Sequence, residues 1–364
     1  MTDSFIYVRD DAALAKHLEH WRTCEWLALD TEFLREDTYF PILALVQVCD
    51  GGVPVCVDVQ TVNPAPLIAL LRDAKILKVF HSASQDMEIL TTLAGACPAP
   101  LFDTQIAAAM LGDGEQLGYA ALVEKRLGVK LAKEFTRLDW TRRPIPDGAL
   151  RYAAEDVSYL AQLYPALRAE LTAKERLSWL VEDCARHAQT ERYQPKPELA
   201  WQRLKGLSRL DITAQHRAAR LAVWRENEAI KRNRPRKWIV DDELLTTLAL
   251  RCPRTRDELA ALAPTPKQLE RYADTWLALL AEPVTQTAAL KTESDWTSAQ
   301  KNLSGRLMSA VQNKAKELGV AAPLLATRSD VEALVSEGAA ADCALTRGWR
   351  RAVIGEELLA VRGE

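Results

Sequence analysis

The pattern of apolar and polar residues divides the chain into a first part that contains strands and a later part that does not. Short apolar runs bounded by turn residues predict strands at residues 5–8, 26–33, 42–48, 53–59, 76–80 and 101–103. Asp50-Gly51-Gly52 is typical of a hairpin turn, so we expect the second, third and fourth runs to form an antiparallel meander. Apolar residues at helical spacing predict helices over residues 11–20, 65–72, 85–93 and most of 104–187. This order indicates one mixed α/β sheet flanked by helices.

The strand pattern ends at Tyr193-Gln194-Pro195-Lys196-Pro197, which we interpret as a linker because two prolines interrupt it. From Trp201 onward the pattern is helical, with a second break at Glu282-Pro283. A chain of 364 residues is long enough for two or three domains. We predict three domains: an α/β domain at 1–192, an all-α bundle at 200–282, and a second, divergent bundle at 290–364.

Composition is ordinary for a globular protein, with 48% hydrophobic and 27% charged residues and no apolar stretch near the roughly 20 residues that span a bilayer. The first residues lack a basic-then-apolar leader, so we expect a cytoplasmic protein without a membrane partner. Seven cysteines are scattered without a C-x-x-C pair, which favours reduced thiols and disfavours zinc.

Charge is distributed unevenly along the chain. Residues 1–190 carry 19 Lys and Arg against 27 Asp and Glu, a net −8. Residues 191–282 carry 18 against 13, a net +5. Acids around a metal ion, beside a basic region that holds a polyanion, would produce this asymmetry, although a solvated charged surface produces it too.

The strongest candidate chemistry follows the apolar run Trp26-Leu27-Ala28-Leu29. In a strand, Asp30 and Glu32 project from the same face, so two like charges lie close together. A divalent cation between them would relieve their repulsion, and oxygen ligands suit a hard cation. Asp-x-Glu alone is a weak signal, so the interpretation depends on further acids downstream.

Two later motifs supply those acids. Asp86 lies in the first turn of the helix after strand 76–80, where it can approach the pair or simply stabilise the helix terminus. Tyr152 and Asp156 are four residues apart on a predicted helix from about 147 to 171, so they share one face. A half-buried tyrosine beside an exposed aspartate is the alternative interpretation.

Together these residues resemble the DEDD superfamily of 3′→5′ exonucleases, in its tyrosine-type branch and most closely the ribonuclease D family. The motifs that carry the resemblance are Leu29-Asp30-Thr31-Glu32-Phe33, Val79-Phe80-His81, Phe102-Asp103-Thr104-Gln105-Ile106-Ala107-Ala108, Asp139-Trp140-Thr141-Arg142-Arg143-Pro144 and Arg151-Tyr152-Ala153-Ala154-Glu155-Asp156-Val157. Three further motifs are similar to the helicase-and-RNase-D C-terminal (HRDC) domain: Trp201-Gln202-Arg203-Leu204-Lys205-Gly206, Leu221-Ala222-Val223-Trp224-Arg225-Glu226 and Pro253-Arg254-Thr255-Arg256-Asp257-Glu258-Leu259.

The resemblance implies a ribonuclease-H-like exonuclease domain followed by two HRDC-like bundles. It implies that Asp30, Glu32, Asp86 and Asp156 hold two Mg²⁺ or Mn²⁺ ions and that Tyr152 orients the attacking water. The implied substrate is RNA with a free 3′ end, in particular tRNA precursors, and the implied product is a nucleoside 5′-monophosphate. We expect a monomer without an obligate protein partner.

Weaker candidates for substrate binding lie around these motifs and in the basic region. They are Phe33, His81, Lys133, Arg142, Arg143, Lys231, Arg232, Arg234, Arg236, Lys237 and Trp238. Each has a structural alternative: a core aromatic, a hydrogen-bonded histidine, or exposed loop charge. Because Pro235 interrupts a helix, we expect the basic cluster at 231–238 to lie on a loop. A DNA 3′→5′ exonuclease and a non-catalytic nucleic-acid-binding protein are the rival functions.

Overall fold

The protein is described by a computed structural model that covers residues 4–131, 135, 138–290 and 296–363. Its internal contacts divide the chain into two compact units. The first unit comprises Met1–Leu34, Leu43–Gln194 and Trp296–Glu364, and the second comprises Arg35–Ile42 and Pro195–Asp295. The C-terminal segment, which we predicted as a domain at 290–364, is therefore grouped with the α/β part. The division into three domains stays a prediction.

Within the described residues, the first unit holds six strands in one sheet. They are β1 (Ile6–Val8), β2 (Trp26–Leu34), β3 (Ile42–Cys49), β4 (Val55–Asp58), β5 (Leu77–Phe80) and β6 (Leu101–Asp103). Their order across the sheet is β1-β4-β3-β2-β5-β6. Strands β3 and β4 are antiparallel, whereas β1 with β4, β2 with β5, and β5 with β6 are parallel. The predicted mixed sheet is confirmed.

Helices follow the strands in the order that the apolar pattern predicts. Before the linker they are α1 (Asp11–Trp21), α2 (Ala65–Leu71), α3 (Ser84–Ala94), α4 (Thr104–Leu111), α5 (Tyr119–Leu127), α6 (Asp147–Ala173) and α7 (Leu177–His187). The second unit contains α8 (Ile212–Arg232), α9 (Arg236–Ile239), α10 (Asp242–Arg251), α11 (Arg256–Ala260) and α12 (Pro266–Ala281). The first unit then resumes with α13 (Ser298–Leu318), α14 (Ala322–Leu325), α15 (Arg328–Glu337), α16 (Gly348–Arg350) and α17 (Glu356–Gly363). Over the described residues, every helix is too short or too polar to span a lipid bilayer.

Strand β2 lies between β3 and β5, which explains its continuous apolar run. Leu27, Ala28 and Leu29 are all fully buried, as expected for a strand covered on both faces. Because β2, β5 and β6 are parallel, their C-terminal ends meet at one edge of the sheet. The residues that follow these three strands are therefore brought close together.

The second unit is helical around a core that includes Trp276 and Leu221, and it incorporates the segment Arg35–Ile42. The Tyr39 hydroxyl donates a hydrogen bond of 2.5 Å to Glu226 Oε1, and both residues are buried. Asn233 Oδ1 accepts from the backbone N–H of Tyr39 at 3.1 Å. A segment distant in sequence thus completes the fold of this unit.

The prediction that the basic cluster at 231–238 lies on a loop is wrong for most of its members. Lys231 and Arg232 belong to the last turn of α8, and Arg236–Trp238 lie in α9. Pro235 immediately precedes α9, where its missing N–H removes no helical hydrogen bond. The proline therefore separates two helices instead of marking a long loop.

Candidate active site

Three carboxylates converge at the sheet edge. Asp30 and Glu32 lie near the end of β2, and Asp156 lies on α6, which packs against this strand. One oxygen atom from each of the three carboxylates lies within 4.8 Å of the others. Such a group of oxygen ligands has the spacing and the chemistry that a hard divalent cation requires.

Asp86 lies outside this 4.8 Å group among the described residues, although it is close enough to affect its charges. It occupies the first turn of α3 and is buried. Its Oδ1 accepts a hydrogen bond of 2.5 Å from the hydroxyl of Thr31, the residue between Asp30 and Glu32. Asp86 is therefore tied to β2 through Thr31.

The electrostatics of the site favour a bound cation. Burial raises the pKa of Asp30 well above its ordinary value, and repulsion by Asp86, Asp156 and Glu32 raises it further. Burial, followed by Asp156 and Asp86, raises the pKa of Glu32 in the same way. Burial also raises the pKa of Asp86 and of Asp156 to about 7. Carboxylates in this arrangement resist simultaneous ionisation, so the residues present fit a divalent metal ion.

Tyr152 lies one helical turn before Asp156 on α6, as the spacing predicts. Burial, together with the charges of Asp156, Glu32 and Asp30, raises its pKa above the ordinary value of a phenol. Its ring centroid lies 6.0 Å from that of Phe135. The phenol is therefore neutral at physiological pH and can act as a hydrogen-bond donor.

A cavity of about 190 Å³ opens beside the carboxylates. It is lined by Asp30, His81, Tyr119, Tyr152, Asp156 and Leu160. Sequence reasoning missed Tyr119, whose hydroxyl donates a hydrogen bond to the backbone carbonyl of Asp156. Tyr119 begins α5, and no motif or periodicity links it to the acidic residues.

Asp103 fixes the turn that leads to Asp86. Its Oδ1 accepts from the backbone N–H groups of Ser82 at 3.0 Å and Gln105 at 2.8 Å, and its Oδ2 accepts from Ala83 at 2.8 Å. Asp103 is thus the N-cap of α4 and also an anchor for the residues just before α3. These three hydrogen bonds support a structural role for Asp103.

Arg143, a candidate for substrate binding, forms all of its side-chain hydrogen bonds within the protein. Its five N–H groups donate to the two carboxylate oxygens of Asp58 and to the backbone carbonyls of Ala44, Trp140 and Arg142. The guanidinium is therefore fully used in an ion pair with a buried aspartate. Arg142 is 85% exposed and pairs with Asp139, and Lys133 lies outside the described residues.

The remaining predicted residues divide into packed and exposed groups. Phe33 is partly buried and packs against the core of the first unit. In the second unit, Arg236 donates to the buried Glu226, at 2.6 Å for one of its two bonds, and to the Tyr39 hydroxyl at 3.0 Å. The prediction that Arg236 contacts substrate is therefore not supported, because its guanidinium stabilises the fold of the unit.

The other members of the basic cluster are more exposed. Arg232 pairs with Glu228, and Arg234 pairs with Asp37 at 3.4 Å. Lys231 and Lys237 are exposed and form no ion pair with any described residue. Trp238 is 59% exposed, which excludes the alternative that it is a core tryptophan.

A second group of possible metal ligands lies elsewhere in the first unit, and the sequence analysis missed it. His20 Nε2 lies 2.5 Å from Asp50 Oδ2, and Cys24 Sγ lies 4.0 Å and 3.9 Å from these atoms. The His20 side chain is 61% exposed and already paired with Asp50. This arrangement is a hydrogen-bonded histidine–aspartate pair at the surface beside a thiol.

Comparisons with known proteins agree with this geometry. A family model described as a 3′-5′ exonuclease matches residues 5–172, and a model of the HRDC domain matches residues 214–280. Ribonuclease D of Pseudomonas paraeruginosa is 37% identical over 97% of this chain and 96% of its own length. Ribonuclease D of Sphingobium indicum is 37% identical over 96% of this chain and 92% of its own.

A solved structure extends the similarity to three dimensions. The crystal structure of Escherichia coli RNase D, described as an exoribonuclease involved in structured RNA processing, aligns with a TM-score of 0.89. Sequence identity is 30%, and the alignment covers 98% of both chains. Fold and family model together define the class of the protein, a 3′→5′ exonuclease.

More narrowly, the chain belongs to the ribonuclease D family. The enzyme class predicted from the sequence, a ribonuclease D-type 3′→5′ exoribonuclease and hence a phosphodiester hydrolase, is confirmed. The family excludes the non-catalytic rival.

Proposed function

We propose that this enzyme shortens RNA from a free 3′-hydroxyl end and releases nucleoside 5′-monophosphates, and that tRNA precursors are among its substrates. The observation that carries the chemistry is the convergence of Asp30, Glu32 and Asp156 within 4.8 Å, with Asp86 tied to them through Thr31. The tRNA substrate rests on the family, in which the E. coli relative is described as acting in structured RNA processing.

Asp30, Glu32, Asp86 and Asp156 would hold two divalent ions, Mg²⁺ or Mn²⁺. When bound, these ions supply an activated water at neutral pH and stabilise charge on the leaving oxygen. The raised pKa values of the four acids support this assignment, because a cation replaces the protons that the site otherwise retains.

Tyr152 acts as a neutral hydrogen-bond donor that orients the attacking water or a phosphate oxygen. Its high pKa argues against a general base, since the deprotonated form is scarce at physiological pH. Tyr119 positions Asp156 through the backbone carbonyl that its hydroxyl contacts. The cavity beside these residues would receive the terminal nucleotide.

RNA binding beyond the active site is assigned to Lys231, Lys237 and Trp238 of the second unit. The two lysines offer charge that no described carboxylate neutralises, and the exposed indole offers a stacking surface. Contacts of this kind are independent of sequence, which suits an enzyme that removes successive nucleotides.

A 3′-end assay tests the proposal. A 3′-extended tRNA with a free 3′-hydroxyl should lose mononucleotides in Mg²⁺ or Mn²⁺ and stay intact in EDTA, while a substrate with a blocked 3′ terminus should persist. Asp30→Asn should abolish release, and Asp147→Asn, which changes an exposed acid of α6, should not. Equal release from the blocked substrate would contradict exonuclease action, and faster digestion of a matched DNA would favour the DNA rival.

A further inference from the structure

His20, Cys24 and Asp50 bring three kinds of metal-binding atom together at the surface of the first unit. His20 lies in the last turn of α1, Cys24 lies between α1 and β2, and Asp50 follows β3 in the turn that leads to β4. One ligand atom from each residue lies within 4.8 Å of the other two. Among the described residues, the carboxylates of the active site form the only other group of this kind.

The distances between the three atoms are close to those of a tetrahedral zinc site. Zn²⁺ bonds of about 2.0–2.3 Å place neighbouring ligand atoms about 3.3–3.6 Å apart. Cys24 Sγ lies 4.0 Å from His20 Nε2 and 3.9 Å from Asp50 Oδ2, and the nitrogen and the oxygen lie 2.5 Å apart. An ion would separate His20 from Asp50 by about 1 Å and draw the sulfur closer by about 0.4 Å. The His20 side chain is 61% exposed, so it can move this far by rotation.

The other two ligands are held in place from outside the group. Asp50 Oδ1 accepts a hydrogen bond of 2.9 Å from the backbone N–H of Gly52, which leaves Oδ2 beside His20 and Cys24. The backbone N–H of Cys24 donates to the carbonyl of Trp21 at 3.2 Å, so the chain that leaves α1 is fixed as well. Hydrogen bonds that orient a ligand in this way are typical of metal sites.

The donor atoms select the kind of ion. A thiolate and an imidazole favour Zn²⁺ over Mg²⁺ or Mn²⁺, which prefer oxygen ligands such as the acids of the active site. The charges also match Zn²⁺, because a thiolate and a carboxylate carry one negative charge each and the ligating imidazole is neutral. A histidine–aspartate pair alone accounts for only two of the three donors, whereas a zinc site accounts for all of them.

We propose that His20, Cys24 and Asp50 bind one Zn²⁺, with water as the fourth ligand, and that the ion joins the end of α1 to the turn between β3 and β4. The spacing of the cysteines disfavoured zinc because it contains no C-x-x-C pair. This site instead combines one cysteine with a histidine and with an aspartate 30 positions further along the chain. The inference is independent of the proposed function, because none of these residues belongs to the site of RNA cleavage.

Titration with Co²⁺, a spectroscopic substitute for Zn²⁺, tests the site in the reduced full-length protein with excess Mg²⁺ present. Tetrahedral Co²⁺ with a thiolate ligand gives a sulfur-to-metal charge-transfer band and strong visible bands, whereas Co²⁺ held by carboxylates and water gives no charge-transfer band from sulfur. We expect the wild type to develop this band with a single equivalent of Co²⁺ and to lose it when Zn²⁺ is added.

Cys24→Ser should abolish the charge-transfer band. His20→Ala should weaken Co²⁺ binding by roughly 100-fold, since the loss of an outer hydrogen-bond partner alone weakens metal sites by about 10- to 100-fold. Cys252→Ser is the matched control, because Cys252 is the other partly exposed cysteine and the rest are buried. It should keep both the band and the affinity. All three variants should cleave 3′-extended RNA in Mg²⁺ at the wild-type rate.

A wild-type protein in which Co²⁺ gives no charge-transfer band would overturn the inference, whether or not the variants fold. A band that persists in Cys24→Ser, or that is lost in folded Cys252→Ser, would also overturn it. Unchanged affinity in folded His20→Ala would reject histidine as a ligand and the three-residue site with it. Cleavage is measured separately, so a protein that binds Co²⁺ as expected but releases no nucleotides would contradict the proposed function alone.

Discussion

Burial, with a smaller contribution from neighbouring carboxylates, destabilises the ionised forms of the active-site acids. Asp30, Glu32, Asp86 and Asp156 have folded-state pKa values above the ordinary values near 4, chiefly because of burial. The folded protein therefore binds more protons than the unfolded chain between about pH 4 and pH 7, and up to about pH 9 for Glu32. Without metal, stability should fall as the pH rises through this window.

Asp156→Asn tests whether a carboxylate that the active site needs also destabilises the fold. Removing one of the repelling charges should raise the free energy of unfolding at pH 8 in EDTA by about 1–3 kcal/mol. It should also slow RNA cleavage by about 10³-fold or more, since several kcal/mol of metal-based stabilisation depend on the ligands. Urea unfolding at pH 5 and pH 8 and single-turnover cleavage are the measurements.

Asp147→Asn is the matched control, because it makes the same chemical change at an exposed position on the same helix. It should leave cleavage unchanged and should lower the free energy of unfolding by less than about 1 kcal/mol, because Asp147 lies in the first turn of α6. An Asp156→Asn protein that is less stable than the wild type at pH 8 would contradict the electrostatic account.

Tyr152→Phe tests the role of the neutral phenol. We expect kcat to fall by roughly 10- to 100-fold, as for the loss of one positioned polar group, while the affinity for Mn²⁺ stays unchanged. The pH–rate profile should keep its shape, because the pKa of Tyr152 is raised beyond the range of the assay. Loss of an ionisation from the profile would instead identify Tyr152 as a general base.

Residue spacing predicted much of the site but not all of it. Alternation in β2 predicted that Asp30 and Glu32 share a face, and helical spacing predicted that Tyr152 and Asp156 do. The roles of Arg143 and Tyr119 were not predictable, because their partners Asp58 and the Asp156 carbonyl are distant in sequence. Only the folded backbone brings these groups together.

At the scale of elements, Asp103 connects the ends of β5 and β6 to two helices. Asp103→Ala would remove the acceptor of three backbone N–H groups and should destabilise the protein by roughly 2–4 kcal/mol. Cleavage should also slow, because the turn that positions Asp86 at the start of α3 loses its anchor. Denaturant unfolding and steady-state kinetics are the measurements.

Asp10→Ala provides the comparison, since Asp10 caps α1 through a single bond to the Ala13 N–H. It should lower stability by about 1 kcal/mol and leave cleavage unchanged. Equal effects of the two substitutions on stability and activity would show that Asp103 is an ordinary cap.

Strands and helices were predicted well where the apolar pattern is local. The position at which a helix begins was predicted poorly. Strand β2 was predictable because burial on both faces gives one continuous apolar run. Helix α6 was predictable because the apolar residues of its buried face recur at helical spacing. Pro235 misled the prediction of a loop because proline is compatible with the position just before a helix. Its effect depends on where the helix begins.

At the scale of the molecule, acidic and basic regions belong to different parts of the chain. We predict that Lys231→Ala with Lys237→Ala weakens binding of single-stranded RNA for all sequences and lowers the dependence of log K on log salt by about 1.4. Maximal cleavage at saturating RNA should not change. Lys205→Ala with Lys267→Ala, which removes two other exposed lysines of the second unit, is the control. Equal weakening of RNA binding by both pairs of substitutions would show that overall positive charge, and not these two positions, determines the affinity.

The local sequence pattern did not predict which segments form the second unit. Tyr39 bonds Glu226 across 187 positions of sequence, and no periodicity reports such a contact. The resemblance to the HRDC domain, by contrast, was carried by contiguous motifs, and the family model matches residues 214–280 within the predicted 200–282. Contacts between segments that are distant in sequence were therefore not predicted.

Asp30, Glu32 and Asp156 are the ligands that we propose for the catalytic metal. Anomalous diffraction from crystals soaked in Mn²⁺, at a concentration that supports RNA cleavage, shows directly where the ion binds. We expect a peak bounded by these three carboxylates in the wild type and no peak there in Asp30→Asn. A wild-type crystal with no peak there, or with Mn²⁺ only beside His20 and Asp50, would contradict it.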